Sequence, residues 1–282
     1  MVMVIQSLLG SGTHIVAKVI VRDVNPITLT FLRAMISGGI FFFFYIASRN
    51  RPTFEAPDWK RLMVLGLLAV PLNQFLFLFA IKLTTPQNAS LLYGTTPIFV
   101  FLLSSLLIGE RRTLRKGLGV AMAFIGLLIV VFEEGVDVRS EHTQGNLILL
   151  LAVLAWSLYT LWGKPLILKY GAYPVTAMSL MLGALMFLPI GLWQSVEFPF
   201  ESLTAEHWVE LFYLGIGTSI FGYFLWYYAL GRIDATKVAI FANAQPVLTA
   251  LMAVTFLGQP ITLNFVVGGV IALAGVVLTQ YA

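Results

Sequence analysis

The chain has no cysteine, which excludes disulfides, zinc thiolate sites and cysteine nucleophiles. It is also short of charge: Asp, Glu, Lys and Arg make up 11% of its 282 residues, against about 25% in a soluble domain. Its three histidines, His14, His142 and His207, are scattered, so no H-E-x-x-H metal site can form. There is no G-x-x-x-x-G-K-[ST] stretch, and ATP hydrolysis through a P-loop is not expected. We therefore expect no cofactor and no metal. The net charge of +4 is small and unevenly spread, which does not suit a nucleic-acid partner.

What the chain has in abundance is apolar surface. Hydrophobic residues account for 59% of it, more than a soluble core of this length can hide. A bilayer removes the difficulty, and the lipid bilayer is the first expected partner. The apolar opening "MVMVIQSLLGSGTHIVAKVI" lacks a basic n-region and an A-x-A site, and Lys18 interrupts it; we read it as a retained first span rather than a cleaved leader. A spanning helix needs about 20 apolar residues. Ten such runs are expected, at about 2–21, 26–48, 59–81, 87–108, 114–132, 145–168, 173–195, 207–229, 236–257 and 263–281. Breakers such as Asn25-Pro26, Pro86, Gly109, Gly171 and Pro260 separate them. The runs are long and continuous, which rules out the short alternating strands of a membrane β-barrel.

The few cations are crowded. Assigning alternate connections to alternate sides puts Arg49, Arg51, Lys60, Arg61, Arg111, Arg112, Arg115, Lys116, Lys164, Lys169, Arg232 and Lys237 on one side. Only Arg22, Lys82 and Arg139 fall on the other, with Glu133, Glu134, Asp137, Glu141, Glu197, Glu201 and Glu206. Basic loops stay cytoplasmic, so both termini are predicted to be cytoplasmic in the inner membrane.

The sequence also matches itself at a shift of 149 residues. Ala80, Pro97, Leu102, Gly109, Thr113, Leu114, Gly119, Ala123 and Gly126 fall on Ala229, Pro246, Leu251, Gly258, Thr262, Leu263, Gly268, Ala272 and Gly275. Two halves follow, 1–135 and 136–282, each of five spans. Because five is odd, the second half must run in the reverse sense. The turn "GERRTLRKG" is then cytoplasmic and cationic, while its counterpart "GQPITLNFV" is external and carries no cation. The fold class expected is an all-α integral membrane protein of ten transmembrane helices in two inverted five-helix repeats, an arrangement typical of secondary transporters.

Four stretches carry a resemblance: "NPITLTFLRAMISG" (25–38), "TTPQNASLLYGTTPIFVFLLSSLLIGE" (84–110), "GLGVAMAFIGLLIVV" (117–131) and "DATKVAIFANAQPVLTALMAVTFLGQPIT" (234–262). Together they resemble the drug/metabolite transporter superfamily, of the EamA-like ten-helix type. The resemblance implies export or exchange of small metabolites, often amino acids or amphipathic compounds, by alternating access. A small-molecule substrate is thus the second expected partner, for a monomer or weak homodimer. Many relatives have a Trp-Gly pair in the first span, where this chain has "GSGTH" (10–14). Two other readings are a membrane-embedded enzyme acting on lipid or isoprenoid substrates and a non-transporting scaffold.

Ionisable residues inside spans are functional candidates because lipid makes them expensive. Lys18 and His14 are four apart on span 1 and share a face. Arg33 lies about 10 Å into span 2 at 1.5 Å per residue; Lys18 and Arg33 together, two cations facing one cavity, would suit a carboxylate or phosphate, or else Arg33 pairs with Asp23. If transport is coupled to protons, His14, Lys18 and Glu210 are the titratable candidates. Buried amides need partners or ligands, which singles out Asn73, Gln74, Asn243 and Gln245. Tyr93, Trp156, Tyr159, Tyr223 and Trp226 are expected to wall a cavity, and Pro97 and Pro246, equivalent in the repeat, to act as hinges. Trp59, Trp193 and Trp208 are expected at interfaces.

Overall fold

The computed structural model describes residues 1–47, 53–84, 86–133, 140–248 and 263–281. Among them the regular structure is helical throughout, as lipid requires of a backbone that must satisfy its own polar groups. Helix α1 (Val2–Ile20) turns into α2 (Pro26–Ala47) where Asn25 Oδ1 accepts from the Ile27 N–H at 2.9 Å. Pro26 opens α2, a place where its missing N–H costs nothing. Helix α3 (Asp58–Leu67) runs through a π-helical segment, Leu68–Gln74, into α4 (Phe75–Leu83). Next come α5 (Pro86–Tyr93), α6 (Thr96–Leu107), α7 (Leu114–Glu133) and the 31-residue α8 (Ser140–Tyr170). Gly171, at φ +90°, makes the tight turn into α9 (Ala172–Ser195), a conformation only glycine adopts freely. The chain continues through α10 (Ala205–Phe212), a second π-helical segment, Tyr213–Gly222, and α11 (Tyr223–Leu230). Helix α12 (Ala235–Ala239), a 3₁₀ segment Ile240–Asn243, α13 (residues 244–248) and α14 (Leu263–Gln280) complete it.

Among the described residues, six continuous stretches are long and apolar enough to cross a membrane: Val2–Ile20, Pro26–Ala47, Asp58–Leu83, Thr143–Tyr170, Ala172–Ser195 and Ala205–Leu230. They correspond to predicted spans 1, 2, 3, 6, 7 and 8. Predicted spans 4, 5, 9 and 10 are represented by α5 with α6, α7, α12 with α13, and α14. The second part of span 9 and the 258–262 turn lie outside the described residues, as do Arg49, Arg51, Glu134, Asp137 and Arg139 of the charge asymmetry.

Besides the 3₁₀ segment of span 9, three spans depart from a plain α-helix, each for an identifiable reason. Pro71 lies inside the first π segment, where its ring displaces the carbonyl four residues back and removes one hydrogen bond. The second π segment has no proline. There the hydroxyls of Thr218 and Ser219 both donate to Leu214 O, at 2.7 and 3.0 Å, competing with the backbone for that acceptor. Span 4 breaks at Gly94–Thr95. Pro97 therefore stands in the first turn of α6, where proline is tolerated, and not in the middle of a helix as its sequence position suggests.

The helices pack through small residues. Gly119 faces Gly275 and Thr279, and Gly126 faces Gly268 and Ala272, so α7 and α14 lie antiparallel with their backbones in contact. Gly66 and Gly183 bring α3 against α9 in the same way. This close approach is how helices associate where no hydrophobic force separates them from lipid. Large apolar side chains such as Leu106, Leu114, Leu185, Trp193 and Val209 point outward, while the centre holds a column of buried aromatic rings.

Candidate functional site

The π segments and the helix break turn polar side chains toward the middle of the bundle, where they meet. Nine residues singled out by sequence line one cavity: His14 of α1, Arg33 of α2, Asn73 and Gln74, Tyr93 of α5, Trp156 of α8, Tyr223 and Trp226 of α11, and Gln245 of α13. Its free volume is about 80 Å³, room for several waters at about 10–15 Å³ each. Asn73 knots three elements together. Its Nδ2 donates to Tyr93 OH and to Ala152 O, both at 2.9 Å, and its Oδ1 accepts from Tyr223 OH at 2.9 Å. Gln74 beside it is buried, yet neither of its amide atoms has a hydrogen-bond partner. Tyr223 lies close to Gln74 but spends its proton on Asn73.

One wall is aromatic. Trp156 meets Tyr223 edge-on at 4.9 Å and lies 5.1 Å from Trp226. Trp226 is fixed by an Nε1 hydrogen bond to Thr160 Oγ1 at 3.0 Å. Arg33 is 3% exposed; its Nε donates to Ser219 Oγ at 2.7 Å and its Nη2 to Thr218 Oγ1 at 3.0 Å. His14 sits between the edges of Phe77 and Tyr93, each 5.5 Å away, and its Nδ1 has no partner. Ser11 donates to Ser7 O and to Gln245 O at 2.8 and 3.1 Å, holding α1 against α13.

Three expected site residues stay out of the cavity. Lys18 donates from Nζ to Ile81 O at 2.9 Å and Thr84 O at 2.6 Å, capping the carbonyl end of α4, where a cation is favoured by the helix dipole. Tyr159 stands behind Trp156, stacked on Tyr227 with ring centroids 4.5 Å apart. Asn243 is buried on the 3₁₀ segment with both amide atoms unpartnered, away from the lining. Pro246 is buried in α13 next to Gln245. Asp23 does not pair with Arg33; it faces His207 at 3.3 Å, and His207 in turn completes a capping box with Thr204 at the start of α10. Glu210 is partly buried, outside the lining, with Oε2 unpartnered. Sequence reasoning passed over Gln6, Thr13, Phe77, Thr218 and Ser219. The adjacent hydroxyls of Thr218 and Ser219, in an otherwise apolar run, were the available signal.

A second polar cluster lies at the end of the bundle that carries the 109–116 turn. Lys116 is buried and donates to Asp234 Oδ2 at 2.7 Å and Glu110 Oε1 at 3.1 Å. Glu110 accepts from the Ala235 N–H at 2.9 Å, capping α12. Burial would raise the Asp234 carboxyl, but the hydrogen bond and charge of Lys116, with Lys164 and Lys237 further off, hold it below the usual carboxylate range. At the same end Lys169 pairs with Glu55 and Asp58 at 2.6 and 2.8 Å.

The model of the EamA-like transporter family matches residues 1–132 and 143–281. An uncharacterized transporter of Archaeoglobus fulgidus is 31% identical over 273 residues, covering 96% of this chain and 93% of its own. The uncharacterized transporter YoaV of Bacillus subtilis is 23% identical, covering 98% of this chain and 94% of its own. A solved crystal structure with 22% identity superposes with a TM-score of 0.78 over 99% of this chain and 95% of that one, a likeness of fold.

Proposed function

The chain belongs to the EamA-like transporter family, and from that premise we propose that it is a secondary transporter that exports small amphipathic metabolites, amino acids or related compounds. It works by alternating access across the cytoplasmic membrane, with both termini inside. The relatives are transporters by name, and the six membrane-length apolar stretches make this a multi-pass membrane protein. The observation that carries the reading is the central cavity. An ionisable group buried between membrane helices marks a substrate or ion path by default, and here an arginine, a histidine and the unpartnered amide of Gln74 share one cavity.

In this reading the ten spans form two inverted halves, residues 1–135 and 136–282. Supporting it, the family model matches two segments of similar length, 1–132 and 143–281. Equivalent spans 3 and 8 both carry π segments, Leu68–Gln74 and Tyr213–Gly222. The paired glycines also face each other crosswise, Gly119 with Gly275 and Gly126 with Gly268, as a two-fold axis between α7 and α14 requires. Cavity residues come from both halves: His14, Arg33, Asn73, Gln74 and Tyr93 from the first, Trp156, Tyr223, Trp226 and Gln245 from the second. Rocking one half against the other would open the cavity to each side in turn, with Pro97 and Pro246 as hinges. The Glu110–Lys116–Asp234 cluster ties the two halves together at the cytoplasmic end and would have to part when that end opens.

The test is flux. Purified protein in liposomes, given a panel of radiolabelled amino acids and related acids and amines, is expected to give saturable, protein-dependent efflux of at least one of them. Tyr223→Phe, which removes a hydrogen bond from the Asn73 knot, should lower that flux several-fold. Flux equal to that of protein-free liposomes across the whole panel would sink the reading.

A further inference from the structure

We infer that the cavity selects organic monoanions, with Arg33 taking the carboxylate of a ligand whose body is apolar or aromatic, and supplies no acidic side chain to balance a ligand's ammonium group. This deepens the transport reading and rests on it for the passage of the ligand. It goes beyond it by separating carboxylic acids from zwitterionic amino acids.

Four observations carry it. First, among the described residues Arg33 has no counter-ion, and its hydrogen bonds go to the neutral hydroxyls of Ser219 and Thr218. The titratable groups near it are the phenols of Tyr93, Tyr213 and Tyr223. A guanidinium buried in a membrane protein without an acid is costly, and a ligand carboxylate removes that cost by a charge-assisted bond. Second, among the described residues no Asp or Glu lines the cavity, so an ammonium would be desolvated there beside a cation already in place. Third, Gln74 holds a spare amide, with Nε2 and Oε1 both unpartnered. Its N–H groups can donate to a carboxylate oxygen, and Asn73 cannot compete because all three of its hydrogen bonds are made within the protein. Fourth, Trp156, Tyr223, Trp226 and Phe77 present rings to the same space, a surface for a flat apolar body. The other cation expected here, Lys18, is committed to Ile81 O and Thr84 O. One positive charge therefore faces the ligand, which fits a monoanion better than a doubly charged phosphate.

Three probes share a phenylethyl body and differ in the charged groups it carries: 3-phenylpropanoate has a carboxylate, L-phenylalanine a carboxylate and an ammonium, and 2-phenylethylamine an ammonium. Each, together with inorganic phosphate, is titrated against the purified protein with thermal stabilisation as the readout, and each is assayed for flux in liposomes. We expect 3-phenylpropanoate to bind at least about tenfold more tightly than the other three, a difference of about 1.4 kcal/mol. Arg33→Gln should abolish that preference. Because Arg33 also braces the second π segment, Gln74→Leu is measured beside it. Losing an unpartnered amide should leave the melting temperature unchanged or raised and weaken 3-phenylpropanoate several-fold. Binding of L-phenylalanine or 2-phenylethylamine as tight as that of the acid, tighter binding of phosphate, or no binding of the acid overturns the inference. Flux without preference for the acid defeats it and leaves transport standing. Selective binding of the acid with no flux of any probe upholds the selectivity and defeats transport.

Discussion

Lys116 is enclosed by Glu110, itself only 6% exposed at the side chain, and by the more open Asp234. Removing the lysine leaves the Glu110 carboxylate buried with hydrogen bonds only from backbone N–H groups of α12 and with the Lys164 charge further off. Breaking a buried pair in this way costs about 3–5 kcal/mol, so Lys116→Ala should lower the melting temperature by several degrees or more in detergent. Substituting the exposed Arg115 should change it little. Asp234 adds a dependence on pH. Its folded value lies below the unfolded value of about 3.9, so its contribution to stability is present above about pH 4 and is lost as pH falls through the folded value. The expected outcome in melting curves taken from pH 7 downward is a steeper fall for the unmodified protein than for Asp234→Asn. Equal slopes would mean that the carboxylate is not held by Lys116 in solution.

Glycine means different things on different helices. A Cβ on Gly126 would run into the Gly268 carbonyl and the Ala272 backbone, whereas one on Gly39 of α2 meets nothing within 4 Å. Gly126→Ala should therefore push α7 from α14 at a cost of about 1–3 kcal/mol, while Gly39→Ala should stabilise by roughly 0.8–1 kcal/mol of helix propensity. The two melting shifts have opposite signs, and matching signs would refute the close contact. The π segments belong to the same scale. By breaking the α register just before Asn73 and Gln74, Pro71 sets the direction in which those amides point. Pro71→Ala lets the segment relax toward α-helix, and the expected result is folded protein with weakened ligand binding.

The whole molecule is held at its basic end by ion clusters and through its middle by neutral hydrogen bonds and rings. Interhelical hydrogen bonds in membranes average only about 0.6 kcal/mol, so bonds such as Trp226–Thr160 and Tyr227–Tyr159 orient the aromatic column more than they stabilise it. A chain without cysteine makes the proposed topology directly testable. Single cysteines placed at Arg112 and Thr262 should be labelled by an impermeant maleimide from opposite sides of intact cells. Labelling from the same side would remove the inverted repeat and, with it, the case for a cavity exposed alternately.

The residues themselves determined that this is a helical membrane chain, because no other solution hides so much apolar surface while satisfying the backbone. Glycine, proline and ionisable residues stand out against an apolar background, which is why His14, Arg33, Asn73, Gln74 and Tyr223 could be singled out from their positions alone. Only the tertiary structure decided how each is employed. Lys18 and Arg33 look alike as lone cations within apolar spans, but Lys18 is satisfied by the carbonyl end of α4 and Arg33 only by neutral hydroxyls. Among the four cations of the 111–116 turn, Lys116 alone is buried, inside an ion cluster. Partners such as Glu110 with Ala235, or Arg33 with Ser219, are separated by more than a hundred residues, and periodicity along one helix carries no information about contacts at that distance.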